Sequence, residues 1–355
     1  MRITAFTKYG PMAASTRQRV LQYIPALEAA GFEVAVHPLL GDDYVAAVAD
    51  GRRYPKSRLV GAYARRFRQL GDLGDTGIIW IYAELFPYLP AAFERLAFSG
   101  GKPVVYDFDD AFFIPYDESA NPAVRAILTG KLGPLIGRSA MACCGNSVLQ
   151  DYARHYTSRT MILPTVVDTD LYRPGPQTAA TAPLTIGWIG SPSTWCNVEP
   201  LLPLVEEICR SGQARFKAIG AGPAAAGVAF PGLELVPWAE ATEIAEIQAM
   251  DIGIMPLLDR PFQRGKSGFK LIQYMACGLP SIASPVGVNS DIVEEGETGL
   301  LASTIEEWRH GLEQLMANPE LRHSLGAAAR RKAVSAYSLQ AHAPRLVQVM
   351  ESARG

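Results

Sequence analysis

The chain has 355 residues, 48% of them hydrophobic and 19% charged, with 33 Lys and Arg against 35 Asp and Glu for a net charge of −2. That length supports two cores of ordinary domain size, and the balanced charge places the chain among soluble globular proteins with no nucleic-acid partner. No apolar run approaches the ~20 residues that cross a bilayer, and the five cysteines (Cys143, Cys144, Cys196, Cys209, Cys277) never form a Cys-x-x-Cys pair, so a zinc site or a disulfide framework has no support. A reducing cytoplasm is the simplest setting.

The opening MRITAFTKYG has too short an apolar part for a signal peptide and reads as a first buried strand, 3–6. RQRVLQYIPALEAAG follows as an amphipathic helix ending at Gly31, a helix C-cap signal. Further short apolar runs bounded by turn residues predict strands at 33–39, 78–82, 103–108, 140–145 and 161–165. Between the first two of these lies Arg52 to Arg68, with seven basic residues and no acid, so that the rest of the chain carries about −9. That segment is either a solvated helix face or a basic amphipathic face, with Leu59, Val60, Tyr63 and Phe67 near helical spacing, that rests on anionic lipid or grips a phosphorylated acceptor.

Residues 173–183 are rich in Pro, Gly, Ala and Thr without periodicity, and the domain linker is expected there, after a first domain over 1–172. The alternation then restarts, with strands predicted at 184–190, 215–220, 233–238, 251–257 and 280–284, in a second domain over 184–335. Three helical segments begin near Ile305, Pro319 and Leu339. Strands alternating with helices imply parallel βαβ units, so the fold class is α/β with two doubly wound, Rossmann-like domains. Facing each other, such halves make a central cleft at the carboxyl ends of their strands.

The richest stretch is RGKSGFKLIQYMACGLP, 264–280, followed by SIASPVGVNSDIVEEGETGLL. It reads as a polar glycine-containing loop, a short helix with Arg264, Lys266 and Lys270 about its N-terminus, a buried strand, a turn and a closing loop. A helix N-terminus offers unpaired N–H groups and a partial positive charge to phosphate oxygens, which makes Arg264, Lys266, Ser267, Gly268, Phe269 and Lys270 a candidate diphosphate site. The stretch resembles a segment of the family 4 retaining glycosyltransferases of GT-B fold: Gln273-Tyr274-Met275-Ala276-Cys277-Gly278-Leu279-Pro280 falls on the family's Glu-Ala-Met-Ala-x-Gly-x-Pro-Val run, and Gly268 on its motif glycine. Gly265 and Gln273 stand where the family has its two glutamates.

The resemblance implies a GT-B fold whose C-terminal half binds a nucleotide sugar and whose N-terminal half binds the acceptor, with a final helix over 336–355 crossing back to the first domain. It implies that Gln273 serves the ribose hydroxyls, which an amide can both accept from and donate to. Glu is therefore expected to be tolerated at 273 and Leu to be damaging. Asp259 or Gln263 is a candidate replacement for the glutamate missing at Gly265. Trp238 falls near the nucleobase, or is a core or rim tryptophan. Gly190, Ser191, Ser193 and Thr194, at a strand-to-helix turn, are candidates for the donor phosphates or a plain helix cap. Gly10, Arg17 and Arg19 are candidates for the acceptor side, the arginines otherwise lying on a helix surface.

Asp107, Asp109 and Asp110 end a buried strand, and three carboxylates there invite a general-base or metal-binding role, since mutual repulsion raises at least one pKa; helix capping or domain-interface hydrogen bonding is the alternative. No metal and no cofactor are expected beyond the sugar-nucleotide co-substrate. Gly220-Ala221-Gly222 is only a partial dinucleotide fingerprint. The leading expectation is a glycosyltransferase in cell-surface polysaccharide or glycolipid synthesis, cytoplasmic or peripheral at the inner membrane face, with a glycan or lipid-linked acceptor. A sugar-nucleotide epimerase and a non-catalytic sugar-nucleotide or glycan-binding subunit are the alternatives.

Overall fold

The computed structural model describes residues 1–175 and 183–354, so most of the linker expected over 173–183 lies outside the described residues. The chain forms two compact units, Met1–Thr165 with Arg264–Ser267 and Leu339–Gly355, and Val166–Gln263 with Gly268–Ser338. The first unit ends at Thr165 rather than near 172. Val167 bridges to Ser338, and Tyr172 is buried in the second unit's hydrogen-bond network, so the intervening residues pack there.

In the first unit, β1 (Arg2–Tyr9), β2 (Glu33–Leu40), β3 (Thr76–Tyr82), β4 (Val104–Phe108), β5 (Met141–Cys144) and β6 (Thr160–Ile162) form one parallel sheet in the order β2-β1-β3-β4-β5-β6. Ile78 to Ile81 and Val104 to Tyr106 are essentially inaccessible, as strands covered on both faces must be. The order reverses between β1 and β3, which makes their carboxyl ends the sheet's switch point. The helix expected to run to Gly31 is broken into Ala14–Arg19, a 3-10 turn at Leu21–Tyr23, and Ile24–Ala29. Pro25 explains the break, because its ring and missing N–H are tolerated only in the first turn of a helix. The last helix, Leu339–Ala353, packs on Ile24–Ala29 and β4 through its buried side of His342, Ala343, Leu346, Val349 and Met350.

The basic segment falls largely on the helix Lys56–Gly71. Its inward side is Ala62, Arg66 and Leu70, with Leu59, Tyr63 and Phe67 half-buried beside them. The apolar residues expected to meet lipid are therefore mostly spent on the core, Phe67 stacking on Phe86 with ring centroids 4.5 Å apart; Val60 alone of the four is exposed. Arg66 is no surface cation. It donates to the carbonyls of Thr7 (2.9 Å) and His37 (2.8 Å) and lies over the Phe6 ring, and burial pulls its guanidinium pKa down to about 9.

In the second unit, β7 (Leu184–Ile189), β8 (Ala214–Ile219), β9 (Leu233–Val236), β10 (Ile252–Met255), β11 (Ser281–Ala283) and β12 (Leu300–Leu301) form a second parallel sheet, ordered β12-β11-β10-β7-β8-β9. β12 was not foreseen, since a two-residue strand has no readable period. One apolar layer gathers Trp188, Trp195, Phe216, Trp308 and Leu312, and another gathers Ile247, Leu271, Ile272, Met275 and Ala329. Here the switch point lies between β7 and β10.

Candidate functional site

At the carboxyl edge of the second sheet, the helix Phe269–Ala276 is fixed over the switch point by Tyr274, whose hydroxyl accepts from the Ile189 N–H (3.2 Å) and donates to the Ile254 carbonyl (3.3 Å). Gly268 caps that helix in the left-handed region at φ +67°, and a Cβ there would lie 2.1 Å from Ile292 Cδ1. No side chain caps the helix, so its N-terminal amides are directed by Gly268 alone. Lys270 places its ammonium 5.7 Å from the centre of the Trp188 ring, and Trp188 in turn packs against Gly190. The Gly190–Thr194 turn is thus next to the helix start through one indole. Gly220, at φ +77°, lies so close to Gly190 that a Cβ would come within 2.3 Å of the Gly190 carbonyl oxygen.

Ser191 and Ser193 are exposed, and their hydroxyls are 3.0 Å apart. The Thr194 hydroxyl accepts from the Ser191 N–H (3.1 Å) and donates to its carbonyl (2.9 Å), so Thr194 is committed to the turn itself. Gln273 is buried and does not present its amide to open solvent. Its Nε2 donates to Glu243 (2.9 Å) and to the Tyr172 hydroxyl (3.3 Å), while Tyr172 and the Trp238 indole N–H also donate to Glu243. One buried carboxylate therefore gathers Gln273, Tyr172 and Trp238, joining two residues that the sequence suggested separately. Glu243 itself escaped the sequence reading, because it reaches the site from the helix Glu243–Gln248, remote from the 264–280 segment.

The preceding loop, Arg264–Ser267, belongs to the first unit. Lys266 pairs with Asp110 at 2.8 Å, and Asn146 Nδ2 donates to the carbonyls of Gly265 (3.2 Å) and Lys266 (3.1 Å). A Cβ on Gly265 would sit 2.5 Å from that of Ala111. The position leaves no space for a glutamate side chain, which accounts physically for the glycine.

The three aspartates do not form one acidic centre. Asp107 is fully buried and pairs with Arg19, itself fully buried and donating to the Leu163 carbonyl (2.7 Å). Asp109 accepts from the Tyr82 hydroxyl (2.6 Å) and Thr165 (3.0 Å), and Asp110 holds Lys266. Burial, more than repulsion from Asp109, pushes the Asp107 carboxyl up to about 6 against the pull of Arg19. Arg19 is therefore neither the acceptor-side ligand nor the helix-surface arginine expected, but the partner of a buried acid. Arg17 is half-buried and donates to the carbonyls of Pro11 (3.2 Å) and Met12 (2.8 Å). Gly10 is buried where a Cβ would meet Asp42 at 2.4 Å, so its smallness serves packing.

Beside β1 and β3, four further charged residues come together. Glu84 is buried, accepts from Tyr116 (2.6 Å) and Lys131 (2.9 Å), and faces the Lys8 ammonium at 3.7 Å. Lys131 also pairs with buried Glu94 at 3.2 Å, whose pKa burial raises against the opposing pull of Lys131. The available signal was an acid inside the otherwise apolar run IIWIYAELFP. A separate cavity of about 320 Å³ in this unit is lined by Asp43, Ala46, Ala47, Tyr54, Pro55 and the guanidinium-bearing Arg52, Arg53 and Arg58.

Residues 183–318 match the family model of the glycosyl transferases group 1. A D-inositol 3-phosphate glycosyltransferase of Rhodococcus opacus strain B4 is 29% identical over 210 residues, 51% of this chain and 46% of the relative. The spore coat protein SA of Bacillus subtilis is 35% identical over 83 residues, 22% of each chain. The chain spans about half the length of the D-inositol 3-phosphate glycosyltransferases it matches. Among solved structures, the sucrose-phosphate synthase of Thermosynechococcus elongatus superposes with a TM-score of 0.73 at 16% identity, covering 99% of this chain and 98% of the other. HepE of Anabaena in complex with UDP gives 0.73 at 13% identity, over 99% and 100%. These likenesses establish the fold as GT-B, two parallel six-stranded α/β units.

Proposed function

We propose that this protein transfers a glycosyl group from a nucleoside diphosphate sugar to an acceptor hydroxyl, with retention at the anomeric carbon, in the synthesis of a cell-surface polysaccharide or glycolipid. The observation that carries the reading is the match over residues 183–318, since that span contains the Gly190–Thr194 turn, Gly220, Trp238, Glu243 and the helix Phe269–Ala276. The names of the relatives support the same class: D-inositol 3-phosphate glycosyltransferase, and HepE structures carrying UDP or UDP-glucose. In the reaction the bond from the anomeric carbon to phosphate oxygen breaks, its electron pair leaves with the diphosphate, and the acceptor oxygen bonds to that carbon while its proton passes to the departing phosphate oxygen. The amides after Gly268, with Arg264, Lys266 and Lys270, supply the positive potential for the departing diphosphate. Trp238 and Gln273, tied through Glu243, shape the nucleoside end. No metal or cofactor is required by this reading.

The test is a thermal-shift screen with UDP, GDP and ADP, then release of the nucleoside diphosphate from the corresponding sugar nucleotides. A nucleotide at 100 times its dissociation constant should stabilise the protein by ~2.7 kcal/mol. Lys266→Ala and Arg264→Ala should each weaken binding or turnover by ~1.5–3 kcal/mol without unfolding the protein. Full activity in both variants removes the two residues from the diphosphate site, and stabilisation by no nucleotide removes the donor assignment altogether.

Attachment to an anionic membrane surface is a separate proposal, narrowed by the burial of Arg66. No helix among the described residues is long and apolar enough to cross a membrane, and the exposed cations are Arg52, Arg53, Lys56, Arg58, Arg65 and Arg68. Changing Arg53, Lys56 and Arg68 together to Gln should reduce co-sedimentation with phosphatidylserine vesicles at low salt, at ~1 kcal/mol per residue. Nucleotide affinity should be untouched. A wild-type protein that ignores such vesicles at both low and physiological salt contradicts the attachment.

A further inference from the structure

The first unit holds an aromatic and charged surface that the diphosphate chemistry does not use. Ala83 (φ +67°) and Tyr88 (φ +58°) are the non-glycine residues with positive φ among the described residues, and both lie in the turn that follows β3. A bulky side chain in the left-handed region is a strained arrangement held by its surroundings, and such strain concentrates where side chains must be aimed. Here the surroundings are Tyr116, whose hydroxyl accepts from the Tyr88 N–H (3.1 Å) and whose ring meets that of Tyr88 edge-on, with centroids 5.3 Å apart. The result is a tyrosine 64% exposed, directly after a run that is buried throughout.

Tyr88 does not stand alone. It connects through Tyr116 and Glu84 to Lys8 and so to Tyr9, whose half-buried ring stacks on that of Tyr44 with centroids 5.8 Å apart and planes 14° from parallel. Lys8 sits between this pair and Phe112, its ammonium 5.5 Å from the Tyr9 ring centre and 5.8 Å from that of Phe112, with Glu84 at 3.7 Å. Tyr44 continues edge-on to Tyr54, centroids 5.1 Å apart. Lys8 and Tyr9 end β1 and Glu84 and Tyr88 follow β3, so the group centres on the switch point of the sheet, where open α/β sheets bind ligands, with Tyr44 arriving after β2 and Tyr116 after β4.

We propose that this surface of Lys8, Tyr9, Tyr44 and Tyr88, backed by Glu84 and Tyr116, is the acceptor subsite and that it takes a saccharide ring, an inference that rests on the glycosyl-transfer reading. Flat aromatic faces bind the apolar face of a pyranose, and a lysine with three donors beside a carboxylate serves its hydroxyls. Charge at the rings decides against a phosphate-led ligand, because the two cations there, Lys8 and Lys131, are each paired with Glu84 or Glu94. Shape decides against lipid, because exposed Tyr88 is bordered by half-buried polar-tipped rings and not by a continuous apolar patch.

The experiment applies labelled full-length protein to an array of immobilised mono- and oligosaccharides, with UDP, GDP and ADP thermal shifts measured in parallel. Wild type should retain a restricted set of glycans. Tyr88→Gly and Lys8→Met should each weaken that retention by about tenfold or more, while Tyr88→Phe keeps it. The melting temperature of Tyr88→Gly should hold or rise, because glycine adopts φ +58° without strain. Nucleotide shifts should be equal in all four proteins. Retention of no glycan by wild type, or equal retention by Tyr88→Gly and Lys8→Met, overturns the proposal. If glycans behave as expected while no nucleotide shifts the melting temperature, the donor reading fails and the saccharide subsite stands.

Discussion

An Arg19→Met protein is expected to lose about 3–5 kcal/mol of unfolding free energy, enough to unfold many domains of this size. The guanidinium is fully buried, pairs with Asp107 and donates to the Leu163 carbonyl, so its removal strands a carboxylate inside the sheet. Asp107→Leu should be similarly damaging, because it strands the cation. The double variant Arg19→Met/Asp107→Leu should recover most of the loss, since replacing both members of a buried ion pair by apolar groups is often neutral. Urea unfolding of the four proteins gives the coupling directly. Additive single losses, or a stable Arg19→Met protein that has lost only an acceptor, would return Arg19 to the surface role that its place after β1 suggested.

The pair also shows where sequence reading ends. Apolar runs bounded by turn residues located eleven strands, because a parallel strand covered on both faces has to be apolar along its length. The loop, helix and strand of 264–284 were readable for the same reason, appearing as Phe269–Ala276 and Ser281–Ala283. Arg66 was half readable: Leu59, Ala62, Tyr63, Phe67 and Leu70 are spaced as one helix side, and Arg66 lies on it, yet a charge on an apolar stripe is normally taken for a neighbour of the stripe. Its partners, the carbonyls of Thr7 and His37, are 59 and 29 residues away. Arg19 with Asp107 spans 88 residues, and the contact of Gly265 with Ala111 brings distant segments together, so no local pattern encodes either. Short-range periodicity reports which side of an element is covered. It does not report which charged group meets another inside.

That distinction reverses the expectation at position 273. Read alone, Gln273 suggests that Glu would be tolerated, since both side chains serve ribose hydroxyls. In the structure Nε2 of Gln273 is the donor facing Glu243 at 2.9 Å, with Tyr172 and Trp238 donating to the same carboxylate. Gln273→Glu replaces that donor by a second acid in a buried site. Two carboxylates so close share a proton, so the folded protein binds one more proton than the unfolded chain above the ordinary Glu pKa near 4.3. Stability therefore falls as pH rises through and beyond that value, until the shared proton is lost; a rise of two pKa units corresponds to about 2.7 kcal/mol. The variant should lie close to wild type at pH 4.5 and well below it at pH 8, the gap in melting temperature widening above the ordinary Glu pKa and levelling off once the shared proton is lost. Gln273→Leu also removes a donor but adds no acid, so its deficit of ~1–3 kcal/mol should be nearly independent of pH. A Gln273→Glu protein as stable as wild type at pH 8 would mean that the side chain at 273 turns away from Glu243 and is free to meet a ligand.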